Sequence, residues 1–181
     1  MLVARASGRP LPELLAERVF EPLGMTDTGF HLAEAELGRL APFHGAGVAA
    51  VDRSLLSELP IFPSGAGGLV STLADLRRFG RMLLADGAGL LSAEAVRLMT
   101  TDHLTQAQRE ESALFLEVSG WGYGGEVTAD GRYGWVGGTG TTFHVAPATA
   151  TIGVLLTQVE MTGPTPTPLM RRFRRYAFGG P

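Results

Sequence analysis

Residues 133–145 decide the fold of this chain, and they read Tyr133-Gly134-Trp135-Val136-Gly137-Gly138-Thr139-Gly140-Thr141-Thr142-Phe143-His144-Val145. A run rich in aromatic and β-branched residues, 121–128, precedes this stretch, and a similar run, 149–159, follows it. Turn residues separate the three runs, so the pattern predicts a three-strand antiparallel meander. Glycines inside the middle strand indicate either a close approach of substrate to the backbone or a space filled by a neighbouring side chain.

Amphipathic spacing predicts the main helices. Residues 11–19 carry apolar side chains at helical spacing, and this helix should stop before Pro22. A second helix should cover 73–85, because Thr72 and Asp75 have capping-box spacing directly before its apolar face.

Shorter elements complete the predicted domain. Helices are predicted over 33–40, after Ser92 and over 169–177, whereas 43–64 predicts an irregular loop and 100–112 a polar, exposed segment. Helices first, then a meander, then a closing helix are typical of an α+β domain with helices on one face of an antiparallel sheet. Residues 1–181 are therefore interpreted as a single domain.

Composition excludes several chemistries. The 181 residues carry a net charge of −3 and no cysteine, which argues against thiolate sites and against nucleic-acid binding. All 15 basic residues are arginine, so no lysine can act as a base. Four arginines on the closing helix predict a solvated face, and the four scattered histidines predict no metal site; no cofactor is expected. Without a signal peptide or spanning segment, we expect a cytoplasmic chain with no membrane contact.

Three motifs together resemble those of a known enzyme family. They are Glu21-Pro22-Leu23-Gly24-Met25-Thr26-Asp27-Thr28-Gly29-Phe30, Phe62-Pro63-Ser64-Gly65-Ala66-Gly67-Gly68-Leu69-Val70-Ser71-Thr72 and Gly134-Trp135-Val136-Gly137-Gly138-Thr139-Gly140-Thr141. In order and spacing they resemble the serine β-lactamase and penicillin-binding-protein-like family, in particular its branch of class C-like esterases and serine hydrolases. The resemblance implies the C-terminal half of a β-lactamase-like transpeptidase fold. It also implies transfer of an acyl group from a small ester or amide through a serine acyl-enzyme.

The third motif implies the site residues. Residues 135–138 resemble the Trp-Gly-Gly variant, in which a tryptophan stands about where lactamases place lysine. The resemblance assigns substrate contact to Trp135, Val136, Gly137 and Thr141. It assigns the backbone donor of the oxyanion hole to Gly138 or to Thr139, depending on an alignment uncertain by one residue. A Trp135 packed in the core is an open alternative.

The other two family motifs have no counterpart in the sequence. None of the eight serines precedes a lysine by three residues, and no tyrosine context matches Tyr-x-Asn. A triad of Ser64, Asp75 and His144 is conceivable, but nothing in the sequence fixes its geometry. We therefore expect the C-terminal part of a longer hydrolase, inactive alone; the alternative is a non-catalytic binding or accessory module that retains the cleft wall. The strand 151–159 would then have an open edge, which predicts self-association.

Overall fold

The computed structural model describes residues 2–45 and 56–179; residues 46–55, part of the predicted irregular loop, lie outside this description. The α-helices are Leu2–Ser7 (α1), Leu11–Leu15 (α2), Glu21–Leu23 (α3), Leu73–Leu84 (α4), Ala93–Met99 (α5), Gln106–Glu111 (α6), Ala113–Leu116 (α7) and Pro168–Phe178 (α8). A π-helical turn covers Ala16–Phe20, and 3₁₀ turns cover Glu34–Arg39 and Pro147–Thr149. The strands are Gly120–Trp121 (β1), Glu126–Val127 (β2), Tyr133–Gly137 (β3), Thr141–Ala146 (β4) and Thr151–Leu156 (β5).

The five strands form one antiparallel sheet in the order β1-β2-β3-β4-β5. On one face, α4 and α5 contribute Met82, Leu83 and Val96 to a core with Tyr133 and Val145 of the sheet. On the other face, α8 buries Met170 completely. The predicted α+β class is confirmed. The prediction of helices on one face only is wrong, because the apolar side of α8 covers the second face.

Glycines split the predicted middle strand into β3 and β4. The carbonyl of Gly137 accepts the N–H of Gly140 at 2.9 Å, and Gly140 has a φ of 81°. A β-turn followed by one left-handed residue is a common three-residue hairpin loop, and glycine adopts that φ without strain. At a second turn the direction is reversed: the Gly122 N–H donates to the Gly125 carbonyl at 2.8 Å. This turn divides the predicted strand 121–128 into the β1–β2 hairpin.

Helix α4 begins where predicted, but its cap is only half of a capping box. The Thr72 hydroxyl accepts the N–H of Asp75 at 3.3 Å. The carboxylate of Asp75 instead accepts the Asp27 N–H and the Thr28 hydroxyl, each at 2.8 Å. It also accepts the guanidinium of Arg78 at 2.8 Å. Because Asp75 is fully buried, these bonds fix the turn after α3 against the start of α4.

Helical structure continues past the predicted stop at Pro22. The Glu21 N–H bonds to the Ala16 carbonyl and the Met25 N–H to the Phe20 carbonyl, which is the i→i−5 pattern of a π turn. Pro22 therefore occupies the first turn of a new segment, α3. Proline is tolerated there because N–H groups of a first turn have no intrahelical acceptor.

Two side-chain caps define the helices after α4. The Ser92 hydroxyl accepts the Ala95 N–H at 3.1 Å, so the predicted cap of α5 is confirmed. Thr105 and Gln108 form a full capping box at the start of α6. The sequence predicted only an exposed segment there, because α6 lacks an apolar period.

Strand β5 ends the sheet, and its outer edge lies in a groove. The Thr157 N–H donates to the Gly140 carbonyl, on the side of β5 that faces β4. The Gln158 carbonyl accepts the His44 N–H on the opposite, outer side. Backbone groups alternate along a strand, so the N–H of Val154 also faces outward. A groove of about 580 Å³ runs along this edge between α4 and α8, with Arg77, Ile152 and Tyr176 among its lining residues.

Replacing Asp75 tests the junction between α3 and α4. Asp75→Ala removes the acceptor of three hydrogen bonds, two of them from the partly buried Asp27 N–H and Thr28 hydroxyl, so we expect a loss of about 3 kcal/mol in unfolding free energy. Thr72→Ala removes only the cap and should cost about 1 kcal/mol. Urea unfolding followed by circular dichroism measures both; equal losses would show that the carboxylate does no more than the cap.

Self-association through β5 stays a prediction, and one backbone atom tests it. Val154→Pro removes an N–H that faces away from β4, so the ladder to β4 should survive while edge pairing is lost. Light scattering at tens of micromolar protein should show oligomers of the unmodified chain and of a Val154→Thr control, but a monomer for the proline variant. A monodisperse, unmodified monomer would rule out the self-association.

Candidate functional site

The second half of β3 has an open edge. Strand β2 pairs only with Tyr133 and Gly134, so Trp135 to Gly137 have a strand neighbour on the β4 side alone within residues 2–45 and 56–179. The Gly137 carbonyl faces β4, where it accepts the Gly140 N–H. By alternation, the N–H and C=O of Val136 face the open side.

The peptide bond between Gly137 and Gly138 fixes the next donor. It is trans, because the chain contains no cis peptide bonds among its described residues. In a trans peptide the C=O and N–H point in opposite directions, so the Gly138 N–H points away from β4, towards the open side. A Cβ built on Gly138 would meet nothing within 4 Å. The space on the side-chain side of Gly138 is therefore open.

Thr139 occupies a different position in the hairpin. The Gly138 carbonyl accepts the Met161 N–H at 2.9 Å, so the Thr139 N–H points away from Met161 by the same peptide geometry. Both Gly138 and Thr139 are exposed. Of these two N–H groups, only that of Gly138 lies in line with the Val136 backbone groups that face the open side of β3.

The remaining predicted residues surround this edge. Trp135 is half-buried, and its ring packs edge-to-face on Trp121 with centroids 4.7 Å apart. Val136 is buried beneath the strand. Thr141 lies directly opposite Gly137, and a Cβ on Gly137 would come within 2.6 Å of the Thr141 hydroxyl. Glycine at 137 therefore lets the Thr141 hydroxyl lie over β3.

A buried polar network lies on the face of the sheet beneath Val136. The His144 Nε2 contacts Glu126 at 3.1 Å and its Nδ1 contacts the Thr142 hydroxyl at 3.0 Å. The Ser119 hydroxyl donates to Glu126 at 2.7 Å, and Arg174 of α8 does so at 3.1 Å. These contacts are satisfied together when a neutral His144 donates from Nε2 and accepts at Nδ1. His144 thus has a structural setting in the interior, away from the open edge.

Glycines make room for His144. It pairs with Gly134 of β3 and Gly153 of β5. A Cβ on Gly134 would come within 2.8 Å of the imidazole, and one on Gly153 within 2.5 Å of the Phe178 ring. Glu126 was not predicted as a partner of His144. The available signal was a histidine in an apolar strand opposite a glycine, which indicates a buried ring.

Burial and hydrogen bonding shift two pKa values in this network. Burial on its own raises the pKa of Glu126, but bonds from His144 and Ser119 and the charge of Arg174 outweigh it and lower the pKa to about 2. Burial lowers the pKa of His144, against the raising effect of its bond to Glu126. The predicted solvated arginine face is wrong for Arg174, whose side chain is only 16% exposed. Arg171 is exposed as predicted, and it bonds Glu117 at the surface at 2.6 Å.

The conceivable triad is not formed. The Ser64 hydroxyl accepts the N–H of Ala66 in an exposed turn, Asp75 holds the start of α4, and His144 is bound to Glu126. Within the part of the chain that the structure describes, no group of three or more His, Asp and Glu residues could hold a metal ion. In the same residues no helix has the length and apolarity to cross a bilayer.

Comparison with known proteins places these features in a family. A family model described as Beta-lactamase matches residues 1–173. Protein Rv1367c of Mycobacterium tuberculosis is 34% identical over 185 residues, which cover 87% of this chain and 46% of that protein. Lovastatin esterase of Penicillium rubens is 30% identical over 159 residues, which cover 75% of this chain and 40% of the esterase. This chain therefore spans less than half the length of these relatives.

A solved structure shares the fold. Simvastatin synthase (LovD) from Aspergillus terreus superposes with a TM-score of 0.76 at 22% identity, over 96% of this chain and 50% of the synthase. The similarity confirms that the α+β fold of this chain is shared with the synthase over half of the synthase's length.

Acid should destabilise the fold through His144. Below the ordinary histidine pKa of 6.5 the unfolded chain binds a proton that the buried imidazole does not, so unfolding free energy falls as pH falls, by at most about 1.4 kcal/mol per pH unit. Glu126 adds a second loss between pH 4.5 and about 2. Urea unfolding between pH 5 and 8 should show a shallower dependence for His144→Gln. The other histidines are present in both proteins, so their contributions cancel in the comparison. Parallel plots of unfolding free energy against pH for the two proteins would refute the role of His144.

Proposed function

Because this chain belongs to the β-lactamase family, we propose that it forms one wall of an acyl-transfer site in a serine hydrolase. In this proposal the open end of β3 binds the substrate carbonyl, and the Gly138 N–H is one donor of the oxyanion hole. The other candidate donor was Thr139. Its N–H does not lie in line with the Val136 and Gly138 N–H groups along the open side of β3.

The direction of the Gly138 N–H is the observation that carries the proposal. The tetrahedral intermediate of acyl transfer places negative charge on the former carbonyl oxygen, and a preorganised N–H stabilises that charge without reorganising. The direction of the Gly138 N–H is fixed by the bond from Gly140 to Gly137, and Gly138 is exposed. Such a donor is typically worth about 3 kcal/mol to the transition state.

The neighbouring residues suit substrate binding. The N–H and C=O of Val136 are available to an extended ester or amide, in the manner of an added strand. Trp135 and the Thr141 hydroxyl flank the same stretch, with Gly137 between them in the hairpin. We therefore assign substrate contact to Trp135, Val136, Gly137 and Thr141.

The nucleophile and its base come, in this proposal, from polypeptide that this sequence does not contain. None of its serines precedes a lysine by three residues, and the chain has no lysine. The match to less than half of each curated relative supports this division. Esters are favoured over carboxylate-bearing lactams, since one relative is named an esterase and no lysine is present to hold a lactam carboxylate.

A fluorophosphonate probe tests the division of labour. We expect no adduct by intact mass on this chain, and one serine adduct on the longest polypeptide encoded by the reading frame that contains it. A stoichiometric adduct on this chain alone would refute the assignment of the nucleophile. Absence of labelling on both would favour the accessory-module alternative.

Gly138→Pro tests the oxyanion donor. Gly138 is the second residue of the turn closed by Gly137 and Gly140, and it does not have a positive φ. Proline is favoured at that position of type I and type II turns. The substitution therefore removes the N–H while the hairpin keeps its shape. In the longest encoded polypeptide we expect kcat for a simple ester to fall about 10²- to 10³-fold.

Gly138→Ala is the matched control, because its Cβ has open space and its N–H is kept. Ester hydrolysis by the alanine variant should stay close to that of the unmodified enzyme. If both variants lose activity equally, the effect comes from the glycine and the N–H is not the donor.

A further inference from the structure

A neutral apolar pocket adjoins the open edge of β3. It has a volume of about 310 Å³ and is lined by Leu104, Ser112, Phe115, Leu116, Trp121 and Trp135. Trp135 belongs both to the pocket and to β3, the strand that directly precedes Gly138. Gly138 is three positions after Trp135, a distance of about 10 Å along an extended chain.

Asp102 holds the far wall of the pocket. Its carboxylate accepts the N–H groups of Trp121 and Leu104, each at 3.0 Å, and the guanidinium of Arg109 at 2.6 Å. These bonds fix β1 and the segment before α6 to each other. The two tryptophan rings meet at 86°, a favourable edge-to-face arrangement. The pocket is therefore built from separately anchored elements and has a defined shape.

The lining gives the pocket its selectivity. Five of its six side chains are apolar and the sixth is a serine hydroxyl, so no lining residue is charged. The Asp102 carboxylate, which accepts the N–H groups of the lining residues Trp121 and Leu104, is already paired with Arg109. A charged group that entered the pocket would lose hydration without gaining a partner of opposite sign, whereas an aliphatic or aromatic group would gain contact with two indole rings.

We infer that this pocket binds an uncharged aliphatic or aromatic acyl group of the substrate, and that it selects against acyl groups with a terminal carboxylate. The inference rests on the proposed function, which places the substrate carbonyl at Gly138 and so identifies the group in the pocket as the acyl part of the substrate. Phe115 and Leu104 are then specificity-determining residues. The binding itself requires no turnover.

The chain supplies its own reporter for this binding. Its only two tryptophans, Trp121 and Trp135, both line the pocket. Benzylacetone is an uncharged ketone with a phenyl group, and its para-carboxylate differs only by a charge at the end that would enter the pocket. Titration of the chain with benzylacetone should change tryptophan fluorescence saturably, and the para-carboxylate should bind about tenfold more weakly.

Phe115→Arg places a cation in the lining and should reverse this preference. Phe115 is 54% exposed, so the change should not disturb the core. Leu114→Arg is the control: it makes the same change one residue earlier, on a side chain that is 64% exposed and outside the lining. The control should keep the preference for benzylacetone.

Three results would overturn the inference: no saturable fluorescence change with benzylacetone, equal binding of the two probes, or the same response in both arginine variants. A failed fluorophosphonate reaction, by contrast, bears only on the proposed function, because the fluorescence titration measures binding without a nucleophile. The two proposals can therefore fail separately.

Discussion

One hydrogen bond, from the Gly140 N–H to the Gly137 carbonyl, determines what the candidate site can do. It closes the β3–β4 hairpin, and because the intervening peptide is planar and trans, it also aims the Gly138 N–H away from β4. No side chain is needed to hold that donor. The left-handed φ of Gly140 returns the chain to β4 directly after that bond, so a requirement of the turn and a requirement of the site are met by the same glycine-rich stretch.

Rigidity behind the open edge comes from the buried network around His144. Thr142 lies opposite Val136 and shares its face of the sheet, and His144 lies opposite Gly134. The imidazole, the Glu126 carboxylate and Arg174 thus connect β2, β4 and α8 directly beneath the exposed strand. An oxyanion donor is effective when it is fixed before the charge develops. A fully satisfied polar network under β3 provides such fixation, since a shift of the strand would break buried hydrogen bonds that have no substitute.

Local chemistry was predictable from the sequence wherever neighbours in the chain determine it. The α5 cap at Ser92, the start of α4 and the α+β class follow from spacing alone. The split of residues 133–145 into two strands was not predicted, because glycines at a hairpin and glycines at a bulge look alike until the partner strand is known. Long-range pairings such as Glu126 with His144, or Asp75 with Asp27, depend on how elements pack. The orientation of the Gly138 N–H likewise required the register of β3 on β4.

Strand alternation separates the two tasks that meet on β3. The N–H and C=O of Trp135 point towards β4 and are not available at the open edge. Trp135 therefore contributes only its indole ring, next to Trp121, to the open surface. Val136 has the opposite arrangement: its side chain is buried and its N–H and C=O face the open edge. Gly138 has no side chain and adds one more N–H to that row. Adjacent residues thus contribute backbone donors and an apolar surface in turn, and a substrate lying along β3 would meet polar groups at its carbonyl and indole at its acyl group.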